Sequence, residues 1–198
     1  MSNISGFYHL QGILPELQQQ AIVEVCREVY SHSPMFTPVM PSGQKFNCQM
    51  TSCGEYGWIS DKNGYRYSKT HPNGQRWHPI PSPIKEITTK LLGTEYDPQS
   101  CLINYYCESG RLGLHQDNSE KNLTAPILSI SLGDDAVFII GGLKRSDPIE
   151  KIILKSGDVV IMSNEARLIY HGVKKIVSGT SNLLRKGGKL NLTIRQVF

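Results

Sequence analysis

A mainly β fold with flanking helices is what this sequence predicts, and three patterns predict it. Short apolar segments with turn residues between them recur from Cys101 to the C-terminus. Two stretches of helical periodicity come before them. A long aromatic region with little periodicity separates those two stretches. Short strands at regular spacing with turn punctuation favour a sandwich or barrel. The length of 198 residues suits one domain over residues 1–198.

The first helical pattern covers residues 15–30. Leu14, Leu17, Ala21, Val25 and Val29 form its apolar stripe, widened by Ile22 and Cys26, with Glu16, Glu24, Arg27 and Glu28 mostly opposite. The second starts at Ser82 as cap and Pro83 as first residue. It carries Ile84, Ile87 and Leu91 and stops at Gly93. Residues 31–81 lie between them, rich in Gly, Pro and Tyr, and hold both Trp58 and Trp77. Asn63, Gly57 and Gly64 mark hairpin turns there. A loop region that long inside a small domain normally has a task. His71 and His78 within it are expected at the surface rather than as ligands.

Downstream, Leu128, Ile130 and Leu132 alternate with Ser129 and Ser131, and residues 136–140 form an apolar run. Residues 152–154 and 159–162 flank Ser156-Gly157-Asp158, which reads as a hairpin turn. Residues 168–170 lead into His171, and residues 189–197 form a last strand. On that strand Leu190, Leu192 and Ile194 share one face, while Lys189, Asn191, Thr193 and Arg195 share the other. Cations facing a barrel interior are costly unless an anion sits between them. Helices packed outside would take the apolar face and leave the polar one to line a ligand cavity. Asn104 and Tyr106 share a face in the same way and would also point inward.

Composition excludes several classes. Hydrophobic content of 39% and charged content of 19% suit a soluble globular chain. No apolar run approaches the ~20 residues of a membrane span. Residues 1–12 lack the basic start and apolar stretch of a signal peptide. A cytoplasmic protein is expected. Cys26, Cys48, Cys53, Cys101 and Cys107 form no C-x-x-C pair and read as free thiols. The net charge of +4 permits a polyanionic partner without requiring one.

His115-Gln116-Asp117 with a remote His171 carries the chemistry. Residues i and i+2 of an extended segment face the same way, so His115 and Asp117 can grip one ion while Gln116 turns aside. Two imidazoles and one carboxylate are the ligands of a non-haem Fe(II) site with open positions. They also serve zinc hydrolases; the cations of the last strand favour a site that also takes an anionic ligand.

Further stretches carry a resemblance. They are Met50-Thr51-Ser52-Cys53-Gly54, Gly57-Trp58, Gly64-Tyr65-Arg66-Tyr67-Ser68 and Asn104-Tyr105-Tyr106. Leu114-His115-Gln116-Asp117, Gly141-Gly142-Leu143-Lys144-Arg145, Tyr170-His171-Gly172 and Asn191-Leu192-Thr193-Ile194-Arg195 continue the series. In this ordered set the chain resembles the AlkB family of Fe(II)- and 2-oxoglutarate-dependent dioxygenases, its bacterial members in particular.

The resemblance implies a double-stranded β-helix, or jelly roll, over residues 94–198. Residues 1–93 would supply N-terminal helices and a nucleotide-recognition lid. It implies that His115, Asp117 and His171 hold Fe(II). Asn104, Tyr106, Lys189, Asn191 and Arg195 would bind 2-oxoglutarate, and Met50, Trp58, Tyr65, Ser119 and Arg145 would meet the substrate. The implied reaction uses O2 to demethylate 1-methyladenine and 3-methylcytosine in DNA, with RNA as a further candidate. Formaldehyde is released, and the damage is reversed by a monomer. Rival readings keep the cofactors but act on tRNA or protein, or keep only nucleic-acid binding. Two positions depart from the family. Lys189 stands where Arg is usual and loses a planar two-pronged grip on a carboxylate, and Ser119 stands where bacterial members have an acid.

Overall fold

The computed structural model describes residues 4–198. Among them, the chain begins with β1 (Phe7–Leu10), α1 (Glu16–His32), β2 (Gln49–Gly54), β3 (Gly57–Asp61), β4 (Gly64–Ser68) and α2 (Ser82–Leu92). It continues with β5 (Ser100–Tyr106), β6 (Leu112–His115), β7 (Ile127–Gly133), β8 (Asp135–Ile140), β9 (Glu150–Leu154) and β10 (Val159–Met162). A 3-10 turn (Asn164–Leu168), β11 (His171–Val177) and β12 (Lys189–Arg195) complete it.

A six-stranded sheet runs β1-β10-β7-β12-β5-β2, and a four-stranded sheet runs β6-β11-β8-β9. Two apolar layers explain their placement. Leu102, Tyr106, Ile127 and Val160 of the large sheet pack with Ala136, Phe138, Ile140, Val173 and Ile176 of the small one. The other face of the large sheet, with Ile103, Leu128, Ile130, Leu132, Leu190, Leu192 and Ile194, is covered by α1 and α2 through Ile22, Cys26, Val29, Ile84 and Ile87. Alternation along β12 therefore sends its apolar residues to the helices and its polar ones between the sheets. This is a jelly roll backed by helices.

The N-terminal half contributes to the barrel itself. β1 and β2 are the two edge strands of the large sheet, so it is not built from residues 94–198 alone.

Several local expectations are corrected. On α1, Leu17 is 79% exposed and Ala21 is exposed, while Ile22, Val23, Cys26 and Val29 are buried. The helix is apolar over a wide arc, and the larger β-branched residues won the face against the sheet. Pro81, not Ser82, occupies the cap position of α2, and no side chain caps it. The turn at Ser156-Gly157-Asp158 does not close a hairpin. β9 pairs with β8 in the small sheet, whereas β10 pairs with β7 and β1 in the large one. The turn crosses between sheets, held by Asp158, which accepts hydrogen bonds from Gly12 N and Lys155 N and meets His9 Nε2 at 2.8 Å. His71 is buried, with Nε2 at 2.9 Å from the Pro34 carbonyl and its ring between Phe36 and Trp77.

The β3–β4 hairpin lies apart from both sheets. Its turn is pinned by Asp61, whose carboxylate takes both Nη1 and Nη2 of Arg66 at 2.9 and 2.7 Å. Gly57 is obligatory at its base, because a Cβ there would fall 2.1 Å from the Trp77 ring. All five cysteines are free thiols, as their spacing suggested. Among the described residues, no helix is long and apolar enough to cross a membrane.

Candidate active site: a His-Asp-His cluster between the sheets

β6 ends at His115, and β11 begins at His171 directly opposite it in register. The two imidazole rings stand 4.4 Å apart between centroids. Asp117 lies two residues beyond the strand end, and Gln116 turns the other way to donate to the Leu168 carbonyl. His115 Nε2 is 3.7 Å from Asp117 Oδ1, and His171 Nε2 is 3.8 Å from Asp117 Oδ2. These gaps are too long for hydrogen bonds, and one donor atom from each residue lies within 4.8 Å of the others.

Local contacts aim the donors. His115 Nδ1 is 3.0 Å from the Gly113 carbonyl, and His171 Nδ1 is 3.0 Å from the Ile169 carbonyl. A carbonyl must receive Nδ1–H, which leaves Nε2 as the free lone pair on each ring. Burial, with His115 next, pushes the His171 imidazole down to about 4, so it is neutral at pH 7. Burial pushes the Asp117 carboxyl up, but Arg195, His171 and His115 outweigh it and hold it well below the usual range. Two imidazole nitrogens and one carboxylate converging on a gap fit a divalent iron. Gly172 lets β6 and β11 meet here, since a Cβ on it would sit 2.5 Å from the Leu112 carbonyl oxygen.

Behind the trio, Arg195 Nη2 donates to Asp117 Oδ2 at 2.7 Å, and its Nη1 is buried without a partner. An unpaired guanidinium donor beside this trio is what an incoming carboxylate would satisfy. The residues present therefore also fit a keto acid. A cavity of about 500 Å³ joins these groups. Its wall includes Asn104, Tyr106, Asn191 and Arg195 together with Met50, Trp58, Tyr65, Ser119 and Arg145.

Lys189 is not part of that wall. It is 1% exposed, and its Nζ donates to the Asp134 and Leu154 carbonyls at 3.1 and 3.2 Å. Burial lowers its ammonium to about 8, against the upward pull of Asp135, Asp158 and Asp134. An ammonium has three donors, so one remains over.

Trp58 and Tyr65 stack on each other, 5.5 Å between centroids and 15° between planes. Arg145 Nη1 donates to the Leu114 carbonyl. Sequence reasoning missed Arg167 and Glu120, both buried. Arg167 donates to the carbonyls of Ala125 at 2.8 Å and Asp117 at 2.6 Å, and its Nη2 reaches Glu120 Oε2 at 3.2 Å. The adjacency of Glu120 to the ligand segment was the only available signal.

A jelly roll with two histidines and an aspartate gathered between its sheets is the architecture of a non-haem iron oxygenase. The family model described as the 2OG-Fe(II) oxygenase superfamily matches residues 6–195. An "Alpha-ketoglutarate-dependent dioxygenase AlkB homolog" of Caulobacter vibrioides is 41% identical over 98% of this chain and 88% of that protein. A "DNA N(6)-methyladenine demethylase" of Arabidopsis thaliana is 32% identical over 96% of this chain and 49% of its own length. The solved structure of OsALKBH1 superposes with a TM-score of 0.85 at 30% identity, covering 99% of this chain and 100% of that one. The chain belongs to the AlkB family of this superfamily. It is an Fe(II)- and 2-oxoglutarate-dependent dioxygenase, with O2 as its other cosubstrate.

Proposed function

We propose that this protein oxidatively demethylates N-alkylated bases in DNA, with 1-methyladenine and 3-methylcytosine as substrates. One observation carries the reading. A single cavity of about 500 Å³ runs from His115, Asp117 and Arg195 to the aromatic pair Trp58 and Tyr65, and sites for compact ligands are typically about 300–1,000 Å³. The demethylase name of the Arabidopsis relative supports the same class.

When bound, iron and 2-oxoglutarate would let O2 oxidise both the keto acid, to succinate and carbon dioxide, and a substrate C–H bond, which is hydroxylated, one oxygen atom going to each. An N-hydroxymethyl base then loses formaldehyde without further help. In this reading His115, Asp117 and His171 hold the iron. Arg195 meets a carboxylate of the cosubstrate with its spare Nη1, and Asn104, Tyr106 and Asn191 line the remainder of its site. Lys189, which does not line this cavity, would reach the far carboxylate only by turning its Nζ away from the Asp134 and Leu154 carbonyls. Trp58 and Tyr65, on the β3–β4 hairpin, part to take the base. Methylated adenine and cytosine are cationic and pair poorly, which lowers the cost of flipping them out. Attraction to an aromatic face adds about 0.5–2 kcal/mol. Met50 and Ser119 line the base site, and Arg145 contributes positive charge toward phosphate, as a net charge of +4 allows. The chain works as one catalytic domain and as a monomer.

Mass spectrometry of methylated oligonucleotides incubated with the protein, Fe(II), ascorbate and 2-oxoglutarate tests this. Methylated DNA should return to its unmodified mass with matching succinate. If DNA gives no more succinate than buffer while methylated RNA or peptides do, the DNA assignment fails.

Lys189 makes a separate prediction. Its ammonium is charged below about pH 8 and neutral above it, so 2-oxoglutarate affinity should fall about tenfold between pH 7 and pH 9. Lys189→Arg should bind more tightly and lose that dependence, because arginine stays charged. Anaerobic titration of the Fe(II) protein measures both. An unchanged or weaker affinity in the variant would remove Lys189 from the cosubstrate site.

A further inference from the structure

Two aromatic rings stand together outside the wall of the cavity. Tyr56 and Phe198 lie 4.8 Å apart between ring centroids, at 50° between planes. Tyr56 is half-buried, whereas Phe198 is 53% exposed, so their contact leaves much of the second ring open. A single exposed phenylalanine needs no explanation, but this pair is held in place. Gln99 fixes both members. Its carbonyl accepts from Tyr56 N at 3.1 Å, and its Oε1 accepts from Val197 N and Phe198 N, each at 2.8 Å.

Their position in the fold matters. Gly54, Ser100 and Arg195 are register neighbours across β2, β5 and β12, and Arg195 bonds to Asp117. Tyr56 and Phe198 follow just beyond Gly54 and Arg195. They therefore share the end of the jelly roll that holds the His-Asp-His cluster. Tyr56 also borders Gly57-Trp58, where the hairpin that lines the cavity begins.

Cations surround the rings. Lys69 Nζ is 5.2 Å from the Tyr56 ring centroid and 3.1 Å from Glu55 Oε1. Lys121 is exposed, follows the cavity residue Glu120, and donates its backbone N–H to the Val197 carbonyl. A hollow of about 520 Å³, which Gln99 also lines, carries Lys69, Arg76 and Lys85 against Glu55 and Asp97. The rim is positive around an apolar centre. That combination suits a nucleic-acid strand, whose bases all have a face to stack and whose backbone supplies the anions. A base inside a duplex has both faces covered, so only an unpaired one can use the rings.

We propose that Tyr56 and Phe198 form a stacking platform for an unpaired base next to the target nucleotide, with Arg76, Lys85 and Lys121 taking neighbouring phosphates. The inference rests on the reading of nucleic acid as the substrate. It adds the course of the strand once it leaves the cavity.

Fluorescence anisotropy tests it with a labelled single strand of about 12 nucleotides carrying one central 1-methyladenine. Leaving out 2-oxoglutarate prevents turnover. Phe198→Ala should weaken binding about fivefold or more, the effect of removing one stacking ring. Phe198→Trp should bind at least as tightly as the native protein, because it offers a larger face. With the same strand paired to its complement, native protein and Phe198→Ala should differ by less than about twofold, since no free base reaches the ring. Lys121→Ala should lower the slope of log affinity against log salt by about 0.7, the value for one phosphate of a single strand. If Phe198→Ala binds the single strand as tightly as the native protein, the platform is overturned while the demethylase reading stands. A Phe198→Trp variant as weak as Phe198→Ala overturns it too. A native protein that neither binds nor demethylates the methylated strand overturns both readings.

Discussion

His115→Ala is expected to abolish succinate formation with little loss of stability, whereas Asp117→Ala is expected to abolish it and also weaken the fold. Both remove a proposed metal ligand, and activity should fall by more than about 100-fold, since even a group that only braces a ligand costs 10–100-fold. The structure separates them. The His115 side chain is 33% exposed and gives up one local bond to Gly113. Asp117 is the partner of Arg195, a guanidinium whose side chain is 5% exposed. Removing one member of a buried pair costs about 3–5 kcal/mol. Glu120 still faces Arg195, so about 3 kcal/mol is expected, or a fall in Tm of roughly 6–12 °C in a chain of this size. Thermal unfolding of both variants decides the matter. Equal Tm values would mean that the Arg195–Asp117 pair contributes nothing to stability.

Arg167→Met carries the second large effect. Methionine fills much of the same space but leaves the Asp117 and Ala125 carbonyls and one oxygen of Glu120 without their donor. Leaving a buried carboxylate short of a partner costs about 3–5 kcal/mol, so Tm should fall by roughly 6–20 °C. Asp117 would also lose the bond that fixes its backbone, and metal affinity should drop about 10–100-fold. Calorimetry and a competitive metal titration give the two numbers. A variant that melts with the native protein and holds metal equally well would show that Arg167 is idle.

Residues that face a common side were readable from spacing alone. The alternation of Leu190, Leu192 and Ile194 against Asn191, Thr193 and Arg195 placed the polar set between the sheets, where it lies. Asn104 and Tyr106 followed the same rule. His115 and Asp117 were legible because a spacing of two needs no knowledge of any neighbour. Errors came where a neighbour had to be chosen. The Ser156-Gly157-Asp158 turn has hairpin chemistry, yet β9 and β10 found partners in different sheets. On α1 two arcs of apolar residues fit the helical period, and only the sheet beneath selected Ile22 over Ala21.

By itself the sequence determined which side chains could act together: period-two alternation and the H-x-D spacing are properties of the backbone, independent of what surrounds it. Only the tertiary structure decided that His171 would stand opposite His115, that Lys189 would turn to two carbonyls, and that Glu120 would lie between Arg195, Arg167 and Tyr67. Strand register and the pairing of buried charges are settled by contacts between segments far apart in the chain. Their energies depend on burial and distance, which no local pattern encodes.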